Sequence, residues 1–149
     1  MPRIDYRVVP LKEPMAGFPG RGHDWFPVVP VKLRHGGRAT PWFAAFVDSG
    51  SHCCLFDKSL ATRLGLDLEK GARDVVRGLA DEAWIEVRFF EVTMIVAAEA
   101  VVVPVGFCDL DPWPGLLGRA GFFEKFVVAF DHASDPPGMD IHRIHRYQP

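Results

Sequence analysis

The stretch FAAFVDSGSHCCLF, Phe43 to Phe56, decides how the rest of the chain is read. It sets one carboxylate, Asp48, between an apolar run and a glycine, directly ahead of a polar patch. Residues Phe43 to Val47 suit a strand, so the acid falls where that strand ends. Ser49 offers a hydroxyl to a neighbouring turn, and Gly50 lets a backbone N–H approach the carboxylate with no Cβ in the way. A solvated turn would account for Asp48 alone, so its purpose has to be read from its surroundings.

Upstream, WFPVVPVKLR (25–34) and ATPWFAAFVD (39–48) flank HGGR, which predicts a hairpin turning at Gly36-Gly37, with Pro30 at an edge or bulge. Downstream, FDKSLATRLGL (56–66) changes period: Asp57 caps a short helix, Leu60 and Leu64 share a face, and Gly65 ends it. DVVRGLADEAWIEVRFFEVTMIV (74–96) reads as two β runs around a mobile hairpin near Gly78 to Ala83, and EAVVVPVGF (99–107) as another strand. In CDLDPWPGLLGRAGFFEKFVVAFD (108–131), a Pro-rich loop leads to Leu116-Leu117-Gly118. A second short helix with Phe122, Phe123 and Phe126 follows, then a strand. The reading is mainly β with two short helices.

Residues 1–25 are rich in Pro and Gly and read as an arm or loop, 26–133 as the folded domain, and 134–149 as a turn-rich tail. In that tail, Met139, Ile141, Ile144 and Tyr147 are the apolar positions, able to add a strand to a sheet between subunits. With 149 residues, 48% of them hydrophobic, the chain has enough apolar material for one core. A formal charge of -2, with no Lys/Arg cluster, excludes a phosphate-binding groove and hence nucleic acid as a partner. No apolar run approaches spanning length and the charged, Pro-containing start does not fit a signal peptide, so no membrane is expected and the location is read as cytoplasmic. Cys53, Cys54 and Cys108 are too few for a disulfide framework and are expected as reduced thiols. His132, His142 and His145 are not expected to hold a metal. Asp109 and Asp111 belong to the Pro-rich loop and are not paired with Asp48.

Asp48-Ser49-Gly50 after an apolar run, then a helix, then Leu116-Leu117-Gly118-Arg119 some sixty residues on, resembles the retropepsin-like aspartic proteases. These are the single-domain, retroviral-type enzymes that bacteria also carry. The resemblance spans about Pro27 to Asp131. It implies a closed β-barrel holding half an active site, completed by a twofold homodimer in which each copy lends one Asp48. It implies an endopeptidase acting on an extended peptide or protein, with water activated between two carboxylates that share a proton, and with no metal or other cofactor. The resemblance gives the Ser49 hydroxyl a contact to the partner's loop, turns the Gly50 carbonyl toward substrate, and sets Leu117 and Gly118 beneath the loop. Gly78, Leu79 and Ala80 would form the flap over the peptide.

Some residues depart from the family pattern. Ser51 replaces the usual Ala and is expected to hydrogen-bond Asp48. His52 stands where an acid usually faces the Arg that follows the apolar-apolar-Gly element, so Arg119 is expected to find another acid, across the dimer. Asp81 and Glu82 make the flap acidic. Two rival readings are a peptide-binding module of the same fold without turnover and a thiol-based sensor at Cys53-Cys54.

Overall fold

Alternation along Val28–His35 sets the first wall of the molecule: Val29, Val31 and Leu33 are buried while Pro30 is exposed. At its end Gly36 and Gly37 take φ of 54° and 79°, the left-handed region that a two-residue hairpin turn demands, and His35 pairs with Arg38 across it. The computed structural model describes residues 3–77 and 84–145.

In chain order the strands are β1 (Ile4–Asp5), β2 (Arg7–Pro10), β3 (His23–Phe26), β4 (Val28–His35), β5 (Arg38–Ala39), β6 (Phe43–Val47) and β7 (Leu55–Asp57). Helix α1 (Lys58–Arg63) and a single 3-10 turn at Leu68–Lys70 follow. The remaining strands are β8 (Ala72–Arg77), β9 (Trp84–Val96), β10 (Glu99–Cys108), β11 (Gly115–Leu117), β12 (Phe126–Asp131) and β13 (Gly138–Arg143).

Six strands close a barrel in the order β4-β6-β11-β7-β10-β9, with β9 returning to β4 from Val31↔Val96 to Arg34↔Thr93. Closure leaves the six no free edge within the ring. Strand β9 is long enough to serve twice: its first half pairs with β8, its second half with β4, and β10 pairs with it on the other side from Arg88 to Val96. Phe56, Met94, Val103, Phe107 and Leu117 fill the interior, all buried to within 1%. Helix α1 adds Leu60, Ala61 and Leu64 to that core. Asp57 caps it by accepting from Ser59 N at 3.1 Å, and Gly65 at φ 69° ends it, both as the sequence predicts.

The predicted second helix is absent. Residues 121–125 form turns, with wide bonds from Phe123 N to Gly118 O and Glu124 N to Arg119 O. Gly121 at φ 99° breaks the helical path, and the Phe122 and Phe126 rings stack at 5.0 Å with Phe126 already in β12. Spacing of four that reads as one helical face is here a turn folding two rings together.

The N-terminal residues read as an arm hold strands. Strands β2 and β3 form a hairpin, and β1 pairs with β13. Phe26 packs against Phe46 and Trp113, so this hairpin covers the outer side of β6. Strand β13 buries Met139 and Ile141 and lies between β1 and β12 of its own chain. Strand β12 thus occupies one edge of β13 along its length, while β1 covers only Gly138 and Met139 of the other.

Arg3 ties the sheet together, donating to Asp131 Oδ2 at 2.9 Å and to Pro136 O at 2.9 Å. Asp131 also accepts from the Ser134 hydroxyl and from Ala133 N and Ser134 N. Hydrogen bonds from Ser134 and Arg3 hold its carboxyl well below the usual carboxylate range. A depressed folded-state value means that the tie is complete above the unfolded range and is lost as the pH falls below about 4. Asp131→Ala should therefore speed amide exchange at Asp5 and Gly138 and leave the barrel amides protected. The wild type should acquire the same fast exchange only in acid, and equal rates for variant and wild type at neutral pH would show that the tie is idle.

Candidate functional site

Strand β11 is three residues long, yet it organises the site. On one side it runs parallel to β6, with Val47 beside Leu117; on the other it runs antiparallel to β7, with Leu55 beside Leu116. The chain therefore leaves β6, turns through residues 48–54 over the end of β11, and returns as β7 on its far side. Gly115 permits this sandwich, since a Cβ there would lie 2.8 Å from the Phe56 ring and 3.1 Å from Ala45 Cβ.

Backbone hydrogen bonds stitch the turn to the residues after β11. Asp48 N donates to Leu117 O at 3.0 Å, Arg119 N to Ser51 O at 2.9 Å, and Ala120 N to His52 O at 2.8 Å. Gly118 lies directly under the loop: a Cβ on it would come within 2.2 Å of Cys53 O and 2.8 Å of Ser51 O. Gly50 N donates to Asp48 Oδ1 at 2.9 Å and Ser51 N to Asp48 O at 3.1 Å, fixing the carboxylate at the head of a tight turn. Among the described residues none donates to Oδ2. Asp48 is half-buried, while Ser49 and Gly50 are exposed.

The sequence-derived candidates Asp48, Ser49, Gly50, Ser51, Leu117, Gly118 and Arg119 thus meet in one place. Ser51 has a partner other than the one expected, and Arg119 has partners within its own chain. The Ser51 hydroxyl donates to Cys53 O at 2.8 Å and not to the Asp48 carboxylate, because its position beyond the turn points it along the chain. Arg119 Nη1 donates to Ser49 O at 3.0 Å and Gly50 O at 3.1 Å. The guanidinium is thereby engaged by the loop itself, among the described residues of the chain no acid meets it, and the Gly50 carbonyl is turned toward Arg119. Backbone acceptors leave no trace in a sequence, which is why this partner was not foreseen.

Gly78, Leu79 and Ala80 lie outside the described residues. The hairpin base below them is described, with Arg77 opposite Trp84. Asp109 pairs with Lys58 at 3.0 Å on the surface and is no partner of Asp48. His132 Nε2 and the Tyr6 hydroxyl are hydrogen-bonded at 2.8 Å. Among the described residues no group of three or more His, Cys, Asp or Glu could hold a metal ion, and no helix is long and apolar enough to cross a membrane.

All three cysteines are free and buried. Burial pushes the Cys54 thiol up to about 12 and Cys108 up to about 11. Cys53 is raised by burial and then by the charge of Asp74. At pH 8 the Cys54 thiolate should be scarcer than that of free cysteine by about a thousandfold. Native protein should accordingly take up iodoacetamide slowly at every cysteine, with fast labelling only in denaturant. Rapid native labelling of Cys53 would revive the thiol-sensor reading.

No protein-family model matches the chain, and no curated protein matches its sequence. The site has to be interpreted from its own geometry.

Proposed function

We propose that two copies of this chain form an aspartic endopeptidase of the retropepsin-like type, each lending Asp48 to a shared dyad. The observation that supports this most is the seating of Asp48. An acid at the end of a short strand is held by the Leu117–Ala120 segment through three backbone hydrogen bonds, a buried glycine and two hydrogen bonds from Arg119. A solvated turn needs none of this, whereas a carboxylate that must meet its twin at hydrogen-bond distance needs all of it.

One carboxylate cannot cleave an amide, because it can take a proton from water but cannot also give one to the carbonyl. No other described carboxylate is hydrogen-bonded to Asp48 or to the Ser49-Gly50 turn, so the second is supplied by a second copy across a twofold axis. Two acids that close cannot both ionise, and they hold one proton between them. The ionised member removes a proton from the attacking water as its oxygen adds to the carbonyl carbon. The protonated member donates to the carbonyl oxygen, giving a neutral gem-diol. Collapse breaks the C–N bond, the nitrogen taking a proton from the dyad and the diol returning one to it. Exposed Ser49 and Gly50 lie where a partner loop would touch. An extended peptide completes the picture, entering as an added strand under the β8–β9 hairpin.

The test is incubation of the full chain with a mixed peptide library over roughly pH 3.5 to 7, products read by mass spectrometry and association state by sedimentation in the same samples. Cleavage by a dimer supports the peptidase. A dimer that binds peptides and cleaves none leaves the binding module. A strict monomer that cleaves removes the shared dyad.

A further inference from the structure

A cavity of about 660 Å³ opens between β8, the Val102–Pro104 stretch of β10 and the turn at 120–125, with His52 and Cys53 of the Asp48 loop in its wall. Its apolar surface comes from Val76, Phe89 and Val102, and two carboxylates, Asp74 and Glu124, stand on opposite structural elements of its lining. In the β8–β9 pairing Asp74 is opposite Val87, which is fully buried in the cluster around Cys53 and Cys108, so Asp74 projects from the face that looks onto the loop. Neither Asp74 nor Glu124 makes an ion pair with a described residue; Asp74 Oδ1 accepts only from Val75 N.

Three basic groups share the lining: His52, Arg77 and Lys125. Arg77 belongs to the other face of β8, and its guanidinium stands 5.8 Å from the centre of the Trp84 ring. The Cys53 thiol lies in the cavity wall, and after burial the charge of Asp74 raises it. Alternation along β8 thus turns the acid Asp74 toward the loop and Arg77 away from it, so this strand presents negative charge to the cavity.

We infer that this cavity receives an arginine or lysine side chain of the bound peptide, its methylene stem along Val76, Phe89 and Val102 and its charge held by Asp74 and Glu124. The inference rests on the reading of Asp48 as the centre of a peptide cleft. Amphipathic walls fit a long basic side chain better than a short polar or purely apolar one. His52 follows Asp48 by four residues, an extended reach of at most roughly 14 Å, which places the recognised residue about two to four positions from the cleaved bond.

Pairs of decapeptides differing only by arginine or citrulline, scanned along the chain, remove the charge and keep the shape. Cleavage would be followed with the wild type, and binding by fluorescence anisotropy with Asp48→Asn, so that recognition is read with or without turnover. At one position arginine should win by about five-fold, and Asp74→Asn with Glu124→Gln should erase that margin, with citrulline peptides handled as before. Both acids are exposed, so the variant should keep its thermal midpoint. Cleavage with no arginine preference, or with a preference that survives the double variant, overturns the inference and leaves the peptidase standing. Arginine-selective binding that needs both acids, with no cleavage, upholds the inference and removes the peptidase. Absence of both binding and cleavage overturns both.

Discussion

Asp48→Asn should lower kcat/KM for a cleaved peptide by at least about a thousandfold while leaving the fold and the association state as they were. Asparagine matches aspartate in shape, and its side-chain oxygen can still accept from Gly50 N, the bond that aims the group at 2.9 Å. It cannot carry the shared proton. In a homodimer the substitution removes both carboxylates at once, so base and acid are lost together, and each is worth about 10²–10⁴. The measurement is a progress curve on one library-derived peptide, with sedimentation of both proteins. Cleavage retained by the variant at even a tenth of the wild-type rate would take Asp48 out of the chemistry.

Gly118→Ala should cost at least about 3 kcal/mol of unfolding free energy and abolish cleavage with it. The added methyl would sit 2.2 Å from Cys53 O and 2.6 Å from Cys53 C, atoms of a backbone that is itself bonded to Ala120. Nothing there can rotate away. Gly50→Ala is the contrasting case: its methyl would lie 3.1 Å from Asp48 Oδ1, the end of a side chain that can turn, so the cost should fall on activity and hardly on stability. Gly20→Ala, with nothing within 4 Å, is the control for handling. Urea titrations of the three variants separate these outcomes, and a wild-type midpoint for Gly118→Ala would mean that the loop is not seated as described.

Local signals carried the sequence reading well. The hairpin at Gly36-Gly37, the cap at Asp57, the stop at Gly65 and the strand that delivers Asp48 are each written within a few residues. The assembly of Asp48 with Leu117 and Gly118 was reached through resemblance, since no local pattern announces a contact across some seventy residues. What misled was spacing without context: Phe122 and Phe126 mimic a helix face, and Gly121 between Ala120 and Phe122 is the one residue that argued otherwise. Side-chain partners were the least legible. Arg119 and Ser51 both chose carbonyl oxygens of the loop, acceptors that every residue has and none advertises. Asp74 was readable in principle, as the acid on the inward side of β8, once the hairpin register was known.

The pairing of Ile4 with Met139 sets an order on the birth of the molecule. Strand β1 leaves the ribosome well ahead of its partner, which is the last of the described strands to follow. At about 5–20 residues per second, β1 waits for roughly 7 to 27 s with its backbone groups answered only by water. The barrel, whose closing rungs end at Val96, is free to form in that interval, and the terminal sheet is clipped on afterwards. A nascent chain stalled before β13 emerges should therefore present a folded barrel with β1 untethered, open to any other strand that reaches it first.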